Sequence, residues 1–147
     1  MIERTKAGFR ALRDLTGLTV DDLAAALGVD PRSVRRWEAP GDDAYAPSEE
    51  AWELLERARS VQLAMVDGAL DRVEPALDAG DAVHVQLGLW RSQADYDAAG
   101  RDAGSYRAAN ANVLAAAAAL DAAGADVELG WAGRDDLPWW ELARLAR

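Results

Sequence analysis

Apolar residues in the first forty positions recur at helical spacing, in three short runs separated by glycine. Phe9, Leu12 and Leu15 recur at three-residue steps, with Ile2 one turn further back, and predict a helix from Thr5 to Thr16. Arg10 and Arg13 are read as lying off that stripe. Gly17 suits the left-handed C′ position, and Leu18 folds back onto the helix end. Thr19 and Asp22 form a capping-box pattern ahead of the stripe Val20, Leu23, Ala24 and Leu27, and Gly28 supplies a tight turn. Asp30 then caps a third helix with Pro31 at its first position, where no N–H is needed. Val29, Val34 and Trp37 point inward, and Ala39-Pro40-Gly41 stops it.

Beyond a hinge from Gly41 to Pro47, Ser48 caps a long helix whose first turn, Glu49 and Glu50, suits the helix dipole. Its apolar positions, Trp52, Leu55, Ala58, Val61 and Met65 on toward Val73, are widened by Leu54, Leu63, Val66 and Leu70. A stripe that wide predicts burial on two sides. Pro75 and Gly80 are expected to bracket its end, with Glu74 biased away from helix by the proline.

The pattern then changes period. Val83, Val85, Leu87 and Leu89 alternate with His84, Gln86 and Gly88, which predicts a strand. Asp95 to Gly104 reads as a loop or short helix. Ser105 caps an alanine-rich helix through Ala123, ended by Gly124, and the Ala115–Ala119 run suits close packing. Val127, Leu129 and Trp131 alternate in a second strand, and Pro138-Trp139-Trp140 opens a last helix to Arg147. The expected fold is mainly α. A helix-turn-helix bundle over 1–41 leads through a hinge and connecting helix over 42–80 to a small α+β dimerisation domain over 81–147. Two strands alone make a marginal sheet. Pairing with a second subunit would remove its exposed edge, so a homodimer is expected through Val83, Val85, Leu87, Leu89, Val127, Leu129 and Trp131.

Charge divides the chain in the same place. The formal net charge of the 147 residues is −10. Residues 1–40 hold seven basic and six acidic groups, a balance of +1; the remainder holds nine against twenty, a balance of −11. The third helix concentrates the basic groups. With Arg32 at zero on the helical wheel, Arg36 lies about 40° to one side and Arg35 about 60° to the other, with Val34 and Trp37 on the opposite half. A helix with one packing face and one guanidinium face suits a DNA major groove. Arg4, Lys6, Arg10 and Arg13 are candidate phosphate clamps beside it.

These residues carry a resemblance. Gly28-Val29, Ser33-Val34, Arg36-Trp37-Glu38 and Gly41 resemble the recognition run of lambda-repressor-like (XRE-type) helix-turn-helix regulators, over residues 5–41. Ala46-Pro47-Ser48 and the helix with Trp52 and Leu55 resemble the YdiL-like, anti-CRISPR-associated repressor subgroup. The acidic Asp42-Asp43-Ala44-Tyr45 insertion departs from the family pattern. The resemblance implies base reading by Arg32 and Arg36, base or phosphate contact by Arg35 and Ser33, and a DNA-contacting set completed by Pro31, Thr19 and Arg13. It implies a sequence-specific regulator, a repressor in most of the family, acting as a homodimer on an inverted repeat in double-stranded DNA.

Other chemistry has little to stand on. With no cysteine and one histidine, His84, neither a thiolate nor a multi-histidine metal site can be assembled. No phosphate-binding glycine loop occurs, and Asp42-Asp43 and Asp135-Asp136 read as solvated turns. No enzyme activity, metal or cofactor is expected. No stretch is apolar enough for a membrane span and no secretory h-region is present, so a cytoplasmic protein is expected. The competing expectation is a protein-interaction module whose acidic second half binds a basic partner or mimics DNA. The operator, the regulated gene and any small-molecule effector are not written in the sequence.

Overall fold

A computed structural model describes residues 1–41, 43–100 and 104–132. Within them the chain is mainly helical, with one two-stranded parallel sheet. It divides into two compact units, Met1–Val61 and Gln62–Arg147.

The first unit begins with α1 (Lys6–Thr16), α2 (Val20–Leu27) and α3 (Pro31–Glu38). Each starts where a side chain satisfies a free helix N–H: Thr5 accepts from Gly8, Thr19 from Asp22, and Asp30 from Arg32. Thr19 also donates its own N–H to the Asp22 carboxylate at 2.8 Å, completing the capping box. Gly17 and Gly28 end α1 and α2 at φ 72° and 65°, a conformation that would strain a side chain. A 3-10 turn, Asp43–Tyr45, precedes α4 (Glu49–Asp78). The core gathers around Phe9, fully buried, with Leu12, Leu23, Val34, Trp52 and Leu55. Trp37 and Trp52 meet the Phe9 ring edge-on, at centroid distances of 6.0 and 5.1 Å.

The inward face of α1 differs from the expected stripe. Leu15 is exposed, while Arg13 and Thr16 are buried. Steps of three drift by about 60° each, so Leu15 sits about 120° from Phe9, whereas Arg13 lies about 40° and Thr16 about 20° from it. Thr16 satisfies its hydroxyl on the Leu12 carbonyl at 2.7 Å, which lets a polar residue lie in the core.

The second unit takes the later part of α4, then β1 (His84–Leu89), α5 (Gln93–Ala98), α6 (Tyr106–Ala123) and β2 (Asp126–Trp131). The strands are parallel, pairing His84 with Asp126 through Leu89 with Trp131. Parallel strands need a crossover, which α5 and α6 provide. Val83, Val85 and Leu87 pack with Ala69 and Val73 of α4 and with Val113, Ala116, Ala117 and Leu120 of α6. Three of these positions on α4 and α6, Ala69, Ala116 and Ala117, are alanines, which suits close packing. A smaller cluster of Trp90, Tyr96 and Ala132 lies beyond the end of β1. There the Asn110 amide pairs with both the N–H and the carbonyl of Trp90, each at 2.8 Å, as a neighbouring strand would.

Pro75 does not end α4. The helix continues to Asp78 and closes at Gly80, φ 81°, with Asp81 N–H bonded to Ala76 and Gly80 N–H to Leu77. Proline forfeits one helical hydrogen bond and restricts Glu74, but here it stands in the last turn on an exposed stretch. Val73, 1% exposed, and Leu77 pack on the core on either side of it and hold the backbone helical. The expected helix from Pro138 to Arg147 and the Asp135-Asp136 turn lie outside the described residues, as does Asp42. No helix of the described residues is long and apolar enough to cross a membrane.

Candidate nucleic-acid interface

Helix α3 is held from behind and from its ends. Val34 is fully buried and Trp37 half-buried on one side. Asp30 accepts the Arg32 N–H at 2.7 Å, and Pro31 supplies a first-turn residue with φ already near the helical value. The opposite side carries Arg32, Arg35 and Arg36, all exposed, with Ser33 and Pro31 half-buried at its start. Among the described residues no carboxylate lies within ion-pair distance of these three guanidinium groups. Arg36 instead lies over the Tyr45 ring, its guanidinium carbon 4.7 Å from the centroid. Thr19 is half-buried and caps α2.

The cations of α1 and the residues leading into it are held within the chain. Arg4 binds Glu49 through Nη1 at 2.7 and 2.8 Å and Glu56 through Nε and Nη2 at 2.9 Å, and lies 5.6 Å from the Trp52 ring centre. Hydrogen bonds to Glu56 and then Glu49 push the Arg4 pKa above its already high ordinary value. Lys6 donates to the carbonyls of Arg36 at 2.9 Å and Tyr45 at 3.1 Å. It thereby satisfies a carbonyl in the last turn of α3 and places a positive charge at that helix end. Arg10 pairs with Asp14 at 2.9 Å.

Arg13, expected on the DNA, is instead a structural residue. It forks onto the Glu38 carboxylate through Nε and through Nη2, the latter at 3.0 Å, and donates to the Leu18 carbonyl at 3.1 Å. Its side chain is 11% exposed and that of Glu38 8%. The reason is its helical angle, which carries it toward the Phe9 side of α1. The hydrogen bond to Glu38 raises the Arg13 pKa.

Of the residues expected at a dimer contact, Val83, Val85 and Leu87 have buried side chains. They are at most 4% exposed, and their side chains already form the core of the second unit. Leu89 and Val127 are half-buried against the same core. Leu129 and Trp131 are exposed, 45% and 64%, although the register places them on the sheet face that carries Leu87 and Leu89. On the other face His84 meets Glu128 at 3.0 Å beside Gln86. No group of three or more metal-ligating side chains occurs among the described residues.

Tyr45 and Lys6 are the residues whose roles at this site escaped the sequence reading. Tyr45 lies in the acidic insertion, and Lys6 is among the candidate phosphate clamps. Neither spacing signals contact: Tyr45 stands nine residues beyond Arg36, and Lys6 thirty before it. No protein-family model matches the chain, and no curated protein matches it.

Proposed function

We propose that the protein is a sequence-specific regulator of transcription, most simply a cytoplasmic repressor, that binds double-stranded DNA as a homodimer. In this reading α2, the Gly28 turn and α3 act as a helix-turn-helix, with α3 entering the major groove. One observation carries it: three exposed arginines, without carboxylate partners among the described residues, share the outward face of an eight-residue helix anchored behind by Val34 and Trp37. Arginine donates in a fork that matches guanine O6 and N7, so guanine-containing half-sites are expected. Arg32 and Arg36 read bases, and Arg35 and Ser33 contact a base or a phosphate. Thr19, at the N-terminus of α2, is placed toward the backbone of the duplex.

The second copy meets the first through the second unit, where Leu129 and Trp131 leave apolar surface exposed. Two-fold symmetry then sets half-site centres about 34 Å apart, one helical turn. In vitro selection from random duplexes, combined with solution mass, tests the reading. It is supported by an inverted repeat, a dimer mass and affinity that falls steeply with salt. Recovery of no preferred duplex, with a basic protein bound instead, would favour an interaction module built on the −11 balance beyond residue 40.

A further inference from the structure

We infer that Tyr45 is a positioning residue for DNA recognition, holding Arg36 in the geometry from which it reads its base; the inference rests on the DNA-binding reading above. Two separate features meet here. The Arg36 guanidinium lies over the Tyr45 ring at 4.7 Å. Independently, Lys6 ties the main-chain carbonyl of Arg36 to that of Tyr45, at 2.9 and 3.1 Å. The staple fixes where the Asp43–Tyr45 turn stands against the end of α3, and so where the ring stands against the guanidinium.

The geometry suits recognition rather than mere packing. A stacked arginine offers its flat face to the ring and keeps the in-plane N–H donors of its edge for a base. Arginine is otherwise among the side chains that lose most rotamer freedom when fixed. A ring that restricts Arg36 in the free protein removes part of that loss before DNA arrives. Arg32 and Arg35, on the same face, have no ring contact among the described residues. Arg36 is therefore the preorganised member of the three, and its base should be the most sharply specified.

The test compares Tyr45→Ala, Tyr45→Phe and Arg36→Ala, with thermal midpoints checking that each still folds. On the selected operator, Tyr45→Ala should weaken binding roughly two- to tenfold. It should relax preference at the base pair that Arg36→Ala also relaxes. Affinity for random duplex should stay unchanged, since no phosphate contact is removed. Tyr45→Phe keeps the ring and should restore binding, and Tyr45→Ala should add nothing to Arg36→Ala. Unchanged operator affinity, an equal loss on random DNA, or a further loss in the Arg36→Ala background each overturns the inference. The stack is also read without DNA, from the ring-current shift of the Arg36 Nε–H resonance. That shift should vanish in Tyr45→Ala and persist in Tyr45→Phe. If the shift behaves so but the wild type prefers no duplex, the DNA-binding reading has failed. If the wild type selects an operator and no shift is seen, the stack alone has failed.

Discussion

Helix α1 and helix α3 look alike in composition and differ in what their arginines meet. α1 with its lead-in carries Arg4, Lys6, Arg10 and Arg13, and every one has a partner within the chain: Glu49 and Glu56, two carbonyls, Asp14, and Glu38. α3 carries Arg32, Arg35 and Arg36 with no carboxylate beside them among the described residues. A charge count of +1 over residues 1–40 hides this division. Once internal pairs are set aside, the arginines of residues 1–40 that have no carboxylate partner among the described residues lie on α3. Near-neutral composition is thus compatible with a locally cationic face, because pairing rather than number decides which charges reach a partner.

The largest effect should come from the inward side of the comparison. Arg13→Ala leaves the Glu38 carboxylate, 8% exposed, without its fork and is expected to destabilise the first unit by about 2–4 kcal/mol. Hydrogen exchange of the Phe9 and Val34 amides reads that loss locally. Replacing both partners by apolar residues, Arg13→Met with Glu38→Leu, should recover most of it, because no buried charge is then left alone. Arg32→Ala on the same measure should stay within about 0.5 kcal/mol of wild type. The comparison breaks if Arg13→Ala leaves exchange unchanged while weakening DNA binding.

The same pair shows what a sequence can and cannot disclose. Caps and stops were legible because they act within four residues: Thr19, Asp30, Ser105, Gly17, Gly28 and Gly124 all do what their chemistry implies. The strand β1 was legible because alternation has a period of two and survives counting. The inward turn of Arg13 was missed because a three-residue step was followed past the point where its drift leaves the core. Pro75 was missed because tertiary packing of Val73 and Leu77 outweighed a local preference. For the candidate site, the arginine face of α3 follows from 100° per residue alone. The Glu38, Tyr45 and Lys6 contacts span 25, 9 and 30 residues, distances over which no local rule operates. The burial of Val83, Val85 and Leu87 in the unit's own core escaped for a related reason, since alternation gives a face and not what covers it.

On the outward side, Arg32→Ala is expected to cost about 1–3 kcal/mol of operator binding and to relax preference at one base pair. Competition assays with single-base operator variants measure it. Arg10→Ala, whose guanidinium already has Asp14 at 2.9 Å, should cost less and show no base dependence. Equal losses for the two variants on every duplex would mean that α1 and α3 contribute only non-specific charge, and the contrast between them would disappear.

The smallest effect concerns Arg4, and its sign can be stated. Hydrogen bonding from Arg4 holds the Glu56 carboxyl below its ordinary value; partial burial pushes the other way, and the Arg4 charge adds to the lowering. A carboxyl whose folded pKa is depressed stabilises the fold above its unfolded pKa. That contribution is lost as pH falls through the folded value. Acidification through and below the carboxylate range should therefore weaken the first unit less in Arg4→Met than in wild type. In the same variant the Glu56 carboxyl should titrate higher, closer to an ordinary glutamate, as followed by the carbon resonance of its side chain. The side chains of Arg4 and Glu56 are 41% and 40% exposed, so solvent screens the pair and the effect on stability is small. The titration shift is the sharper readout, because it reports the pair itself rather than its consequence. An unchanged Glu56 midpoint in Arg4→Met would mean that Arg4 is not held by its carboxylates in solution. Arg4 would then join α3 among the cations facing outward, and the division between the two helices would have to be redrawn.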